Sequence, residues 1–464
     1  MELLNAREQR VMTQQKLQKE YPCPLICFTM NIAGPVKTSP AIIRAFRYGI
    51  VELDKKLNGR DIKNKLIQYE KCGPVAFYSV SADPLVIKDI CVGIEEALPI
   101  GRLFDMDVLL PSGKKTERKV ERACIVCGKQ GRVCAAGRLH SVDILQSTTK
   151  SIIKEHFITH DCKRIAFVAK NSLIKEVLTT PKPGLVDMNN TGSHTDMNVE
   201  SFIKSADALL PYFEKCVKTG IETAGLSPDQ TFAYLRSAGL AAEKDMYAST
   251  GGVNTHKGII YSLGILLGAI GRLWTVDNPI AQIRDILEQS SLIVGLSGEK
   301  DFENISPTTA GARFFLLCGK RGIRGEVADG FPSVRDIALP VYRRILESSE
   351  PVFTDDTYRY SNEILSKKEN DAGVLTLLHL ISEIYDTSIY NRGGEYGINY
   401  ARDYASHLLS NSPISISAVE NMDIDFIKIN LSPGGAADLL AITYFINDIC
   451  SNEIYPAQEG KKQL

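Results

Sequence analysis

An α+β half followed by a mostly helical half is the architecture predicted for this chain of 464 residues. Three observations point there. The length exceeds one ordinary domain and suits two or three. Short segments rich in β-branched and aromatic residues, flanked by Pro or Gly, occur before about residue 160 and nearly vanish after it. Charge divides the same way: residues 1–160 carry 25 Lys and Arg against 17 Asp and Glu, and the remaining 304 carry 29 against 38. A basic half joined to an acidic one implies two domains with different ligands. No linker rich in Gly, Ser or Pro marks the seam, so texture alone sets the expected domains at 1–160 and 161–464.

The elements follow in order. NAREQRVMTQQKLQKEY (5–21) has helical texture. PLICFTMNI (24–32), VAFYSVSA (75–82) and LFDMDVLL (103–110) are the expected strands. Beyond 160, KRIAFVAKNSLIKEVL (163–178), stopped by Pro181, SFIKSADALLPYFEKCVKTG (201–220) and GGAADLLAITYFINDI (434–449) repeat apolar residues at helical spacing. Ile259–Leu273, about fifteen apolar residues interrupted by Gly, suits a buried helix and is short for a membrane span.

Composition narrows the function classes. The chain is 44% hydrophobic and 23% charged, with no repeat or low-complexity tract, as a globular protein is. Neither half has the Lys/Arg density or aromatic interleaving of a nucleic-acid binder. MELLNAREQR lacks the apolar run of a secretory signal, and eleven cysteines are an odd number, so reduced thiols in the cytoplasm are expected.

In the first half, strand alternation puts Asp105 and Asp107 on one face beside Leu103, with Phe104, Met106 and Val108 in the core. Adjacent carboxylates repel and call for cations such as Mg²⁺, and Arg102 just upstream can bind phosphate bidentately. In NIAGPVKTSP (31–40), Lys37 follows a Gly-Pro turn and suits a phosphate loop or an ordinary β-turn equally. Cys124, Cys127, Cys134 and His140, spaced C-x2-C-x6-C-x5-H, allow a tetrahedral structural zinc site; reduced thiols are the alternative.

Four loops of the second half share one composition. TTPKPGLVDMNNTGSHTDM (179–197) holds Lys182 between prolines, then Asp187, His194 and Asp196. STGGVNTHKG (249–258) brings Thr250, Gly251, Gly252, Asn254, His256 and Lys257 to the mouth of an apolar helix. RGIRGEVADGFP (321–332) carries Arg321, Arg324 and Glu326, and YNRGGEYG (390–397) carries Arg392. Glycine lets backbone N–H groups approach a ligand, helix N-termini favour anions, and the basic side chains supply counter-charge. A shared polyphosphate site is the expectation. Asp187, Asp196, Glu243 and Glu326 are the acids expected to hold Mg²⁺ or move protons. No Gly-x4-Gly-Lys-Ser/Thr loop is present, which disfavours ordinary P-loop hydrolysis.

Residues 1 to about 160 resemble apo-citrate lyase phosphoribosyl-dephospho-CoA transferase in AREQR (6–10), the run from Phe28 to Lys37, GRLFDMDV (101–108) and the Cys-rich segment ending at His140. Residues from about 163 onward resemble triphosphoribosyl-dephospho-CoA synthase in TPKPGLVD, GSHTDM, TGGVNTHKG, RGIRGEVADGFP, DTSIYNRGG and SPGGAADLLA (432–441). The resemblance implies a nucleotidyltransferase-like first domain and two consecutive reactions. ATP and 3′-dephospho-CoA would give 2′-(5″-triphosphoribosyl)-3′-dephospho-CoA and adenine. The phosphoribosyl-dephospho-CoA would then pass to a serine of the citrate lyase acyl carrier protein, releasing pyrophosphate. On this reading Lys182, Lys257 and Arg324 meet phosphates, Asp187, Glu243 or Glu326 is base or metal ligand, and His256 is the acid for the leaving base. Asp105 and Asp107 would hold Mg²⁺ and activate the carrier serine, and Arg102 would meet pyrophosphate. The rivals are the equivalent pair for malonate decarboxylase and a nucleotide-binding protein without turnover.

Overall fold

The computed structural model describes residues 2–70, 72–303, 310–354, 363–411 and 413–451. The chain separates into two compact units, Met1–His160 with Thr275–Asp277, and Asp161–Trp274 with Asn278–Glu453.

The first unit runs α1 (Glu2–Glu20), β1 (Leu25–Met30), α2 (Pro40–Leu57), β2 (Asp61–Glu70), β3 (Gly73–Ser81), α3 (Pro84–Ala97), β4 (Phe104–Leu109) and α4 (Gly131–Ala136). Local chemistry starts its helices: Ser39 Oγ accepts from the Ile42 N–H at 3.2 Å and Asp83 from the Leu85 N–H at 2.7 Å, each followed by Pro at the first helical position. The strands form one antiparallel sheet in the order β2-β3-β1-β4. One face buries Phe28, Phe104 and Met106, with Phe28 stacked 4.8 Å from Phe46 of α2. The other buries Leu25, Cys27, Val75 and Phe77 against Leu17 of α1.

Three features differ from expectation. Strand β2, DIKNKLIQYE, is polar and lies at the sheet edge, where one side of its ladder faces no partner strand, so apolar alternation is weak. Leu103 is fully buried in a 3₁₀ turn, Pro99–Leu103, rather than beside the acids. The segment 163–178 is the end of a single helix α5, Val142–Leu178, which contains the division between the units. A continuous helix needs no Gly, Ser or Pro linker, hence the unmarked seam.

The second unit continues with α6 (Val199–Glu222), α7 (Pro228–Ser249), α8 (Lys257–Leu273), α9 (Ile283–Glu303), α10 (Ala310–Cys318), α11 (Gly322–Ala328), α12 (Leu339–Glu347), α13 (Lys367–Glu383), α14 (Thr387–Ser410), α15 (Ile416–Lys428) and α16 (Gly434–Ser451). Helix α8 is the expected apolar helix, and its glycines have a packing reason. A Cβ on Gly271 would lie 2.1 Å from the Val217 carbonyl oxygen, and one on Gly220 2.1 Å from that of Gly268, so α6 and α8 touch backbone to backbone. Among the described residues no helix is long and apolar enough to cross a membrane, and the eleven cysteines are all free thiols.

Candidate active sites

In β4 the burial alternates as the sequence implies: Phe104, Met106 and Val108 are buried, Asp105 and Asp107 half-buried on the opposite face. The two acids open into a cavity of about 1170 Å³ that Arg102, Lys115, Arg118 and Arg122 also line. Arg122 Nη1 stands 3.6 Å from Asp105 and Lys115 Nζ 2.5 Å from Asp107. Burial, and then Asp107 beside it, push the Asp105 carboxyl above the usual range against the pull of Arg122 and Lys115. Beneath them buried Glu95 accepts from the Met106 N–H at 2.7 Å and pairs with Arg122. Arg102 donates to the Ala123 carbonyl. Lys37 is outside this cavity, its ammonium turned back onto the Ile32 carbonyl of its own loop. Cys124, Cys134 and His140 line the same cavity, and Cys127 completes their cluster.

In the second unit the four glycine-bearing loops converge, with the Ser432–Gly435 turn, on one cavity of about 840 Å³. That lies within the span of small-molecule sites, about 300–1,000 Å³. Six cationic side chains line it (Lys182, Arg236, Lys257, Arg321, Arg324 and Arg392) against three carboxylates, Glu176, Glu243 and Asp438. The excess of positive charge suits a polyanion.

The local folding of each loop decides what faces the cavity. Asp187 does not. Its Oδ2 accepts from Thr180 Oγ1 at 2.8 Å and the Lys182 N–H at 2.9 Å, and its Oδ1 from the N–H groups of Asn189 at 2.8 Å and Asn190 at 3.0 Å. The expected base or metal ligand is thus the internal brace of its own loop. Lys182, 1% exposed, reaches the cavity wall and pairs with buried Glu176. Asp196 is exposed and lies outside the cavity lining.

Asn254, His256 and Lys257 line the cavity, whereas Gly251 and Gly252 form the left-handed turn that ends α7, with φ of 68° and 93°. Thr250 Oγ1 is spent on that turn, donating to the Met246 carbonyl at 2.9 Å. Lys257 pairs with Glu243 at 2.8 Å. His256 is 3% exposed, and burial together with the charge of Lys182 lowers its pKa to about 3, so the imidazole is neutral at physiological pH. Ser205 Oγ accepts from Thr255 Oγ1 at 2.8 Å and stands 2.7 Å from His256 Nδ1. This pattern assigns the serine hydrogen to Nδ1 and the imidazole proton to Nε2, which is buried without a partner. His256 is therefore a neutral donor rather than the expected acid.

Arg321 lines the cavity and is held by Asp329 at 2.6 Å, while Arg324 lies over the Tyr261 ring at 5.8 Å. Arg392 donates to the Ser193 carbonyl at 2.8 Å and meets His194 Nδ1 at 3.2 Å. Glu326 is outside the lining, where its carboxylate accepts from the Ser333 N–H at 3.2 Å.

Sequence reasoning missed two acids. Glu176 sits in the amphipathic run of α5, where a charge looks like a solvated one. Asp438 interrupts GGAADLLAITYFINDI, and an acid in so apolar a helix was the available signal. A Cβ on Gly258 would lie 2.0 Å from Asp438 Oδ2, so the bare first turn of α8 makes room for this carboxylate. Burial, followed by Glu176 and Asp386, holds Asp438 well above the usual carboxylate range.

Two compact units, each with a cavity lined by several basic side chains and at least one carboxylate of raised pKa, define a chain with two sites suited to anionic substrates. Residues 162–455 match the family model of ATP:dephospho-CoA triphosphoribosyl transferase, CitG, and residues 1–156 that of apo-citrate lyase phosphoribosyl-dephospho-CoA transferase, CitX. Protein CitXG of Haemophilus influenzae is 33% identical over 96% of this chain and 94% of its own length. Protein CitXG of Leuconostoc mesenteroides subsp. cremoris is 31% identical over 96% of both. The 2-(5″-triphosphoribosyl)-3′-dephosphocoenzyme-A synthase of Klebsiella pneumoniae is 36% identical over 63% of this chain and 93% of its own. The chain belongs to the CitXG family, CitX and CitG fused in one polypeptide, and is a bifunctional transferase that makes and attaches the citrate lyase prosthetic group.

Proposed function

We propose that the second-unit cavity joins the ribose of ATP to the 2′-hydroxyl of 3′-dephospho-CoA, expelling adenine. The observation that carries this reading is the convergence of all four glycine-bearing loops on one cationic cavity. Lys257, Arg321, Arg324 and Arg392 hold the triphosphate. His256 Nε2–H donates to an uncharged or anionic oxygen of the substrate without adding charge. Displacement at the anomeric carbon needs the attacking 2′-hydroxyl deprotonated as the C–N bond to adenine breaks. Asp438 takes that proton: its carboxylate has no hydrogen-bond or ion-pair partner among the described residues, and its raised pKa makes it a stronger base than an exposed acid. Glu243 also lines the cavity, with Lys257 beside it.

The first unit, nucleotidyltransferase-like in this reading, transfers phosphoribosyl-dephospho-CoA to a serine of the citrate lyase acyl carrier protein and releases pyrophosphate. Asp105 and Asp107 fit a Mg²⁺ ion, because both carboxylates lie on the same face of β4 and open into one cavity. The ion would neutralise charge on the phosphates. Arg102 and Arg122 stand where pyrophosphate would leave, and Asp105 or Asp107 accepts the serine proton. The excess of Lys and Arg in residues 1–160 suits an acidic carrier protein. A structural zinc ion would sit on Cys124, Cys127, Cys134 and His140.

One assay tests both halves: ATP, 3′-dephospho-CoA and apo carrier protein are supplied, and adenine and pyrophosphate are read separately. Adenine should appear without carrier, and pyrophosphate only with it. ATP binding without adenine release would overturn the first assignment. Preferential labelling of a malonate decarboxylase carrier would overturn the choice of carrier.

A further inference from the structure

One wall of the first-unit cavity has no part in the transfer chemistry above. Cys124, Cys127, Cys134 and His140 place three thiol sulfurs and an imidazole nitrogen within 4.8 Å of one another. The Cys127 and Cys134 sulfurs stand 3.5 Å apart, and His140 Nε2 is buried without a hydrogen-bond partner. A tetrahedral zinc ion with bonds of about 2.3 Å to sulfur spaces its ligand atoms about 3.8 Å apart, so a contraction of about 1 Å closes this set.

The fold around the four residues is tight and lacks a core. Ala123 pairs with Gln130 as an antiparallel bridge, and the Gly128 N–H donates to the Cys124 carbonyl at 3.0 Å. Helix α4 then presents Cys134, and Arg138, at φ 47°, turns the chain toward His140. From Pro111 to Thr148 only Cys134 is buried. An ordered segment with so little apolar burial needs another source of stability, and metal ligation is one that three thiols and an imidazole this close together can supply.

We propose that Cys124, Cys127, Cys134 and His140 bind one zinc ion in a closed site, and that the ion fastens this knuckle to the acidic strand. The link is direct. Arg122, two residues before Cys124, reaches Asp105 at 3.6 Å and pairs with Glu95, and Arg102 binds the Ala123 carbonyl. The knuckle thus sets where Arg122 stands over Asp105 and Asp107. Binding releases the three thiol protons and leaves the site one negative charge. The effect on transfer rests on the reading of this cavity given above; zinc binding itself does not.

The test uses the full chain purified under reducing conditions without chelator. Metal analysis should give about one zinc per chain, with sulfur and nitrogen ligands by X-ray absorption, and Cys127→Ser or Cys134→Ser should lose it. Stripping zinc from the unmutated chain should speed hydrogen exchange across residues 118–141 and lower carrier labelling about tenfold or more, with adenine release unchanged. Restoring zinc should reverse both. Zinc absent after resupply, zinc kept by both variants, or a Cys127–Cys134 disulfide in the reduced preparation overturns the site. Unchanged exchange on stripping overturns the fastening. If the zinc-loaded chain labels no carrier, the function assigned to the cavity fails, while metal content and exchange still decide this proposal.

Discussion

Replacing Asp438 by Asn keeps the volume and removes the charge. If Asp438 takes the proton of the 2′-hydroxyl, losing it forfeits general-base catalysis, a factor of about 10²–10⁴. That corresponds to about 3–5 kcal/mol of barrier. The environment sharpens the prediction, because burial, Glu176 and Asp386 all raise this carboxyl. The base form exists only above the raised pKa, so adenine release by the wild type should fall as pH drops through a value above the ordinary carboxylate range. That limb should vanish in Asp438→Asn. Stability has the opposite sign. An acid whose folded pKa is raised contributes stability below its unfolded pKa and loses it as pH rises through the folded one. At mildly alkaline pH the wild type therefore carries a penalty that Asn lacks, and the variant's Tm should hold or rise. Adenine release by chromatography across pH, paired with calorimetry, reads both. A rate within a few-fold of wild type, or a Tm that falls along with the rate, refutes the reasoning.

Other outcomes follow from the same geometry. Gly258→Ala places a methyl group 2.0 Å from Asp438 Oδ2, so the carboxylate must move; adenine release should drop about 10²-fold, with labelling from supplied intermediate intact. Asp107→Asn should abolish carrier labelling and spare adenine release, and Lys257→Ala should do the reverse. Loss of both activities in either folded variant would break the division of labour. Asp187→Ala leaves four donors of its loop without their acceptor and should cost about 2–4 kcal/mol in the unfolding transition of the second unit. An unchanged transition would show that Asp187 is no brace.

Much was legible where short-range rules govern. Alternation in FDMDVL placed both acids of β4 on one face because adjacent side chains in a strand must point oppositely. Gly, Lys and Arg at the mouths of helices identified the cationic loops, since few structural needs bring those residues together. Strand β2 was missed because an edge strand keeps polar residues on much of its surface.

Residue order alone was enough to set the two textures, the strand carrying Asp105 and Asp107, the Cys and His spacing of residues 124–140 and the family to which each half belongs. Folding had to settle which charges reach a cavity. Asp187 and Glu326 carry the same carboxyl chemistry as Asp438, yet the first is consumed by its own loop and the second turns to Ser333. The Asp438 carboxyl is raised by burial first, and then by Glu176 and Asp386, both far from it in sequence. His256 lost its expected role as acid through burial beside Lys182. A pKa depends on solvent exclusion and on charges within a few ångströms, and both are properties of packing that no local stretch of sequence contains.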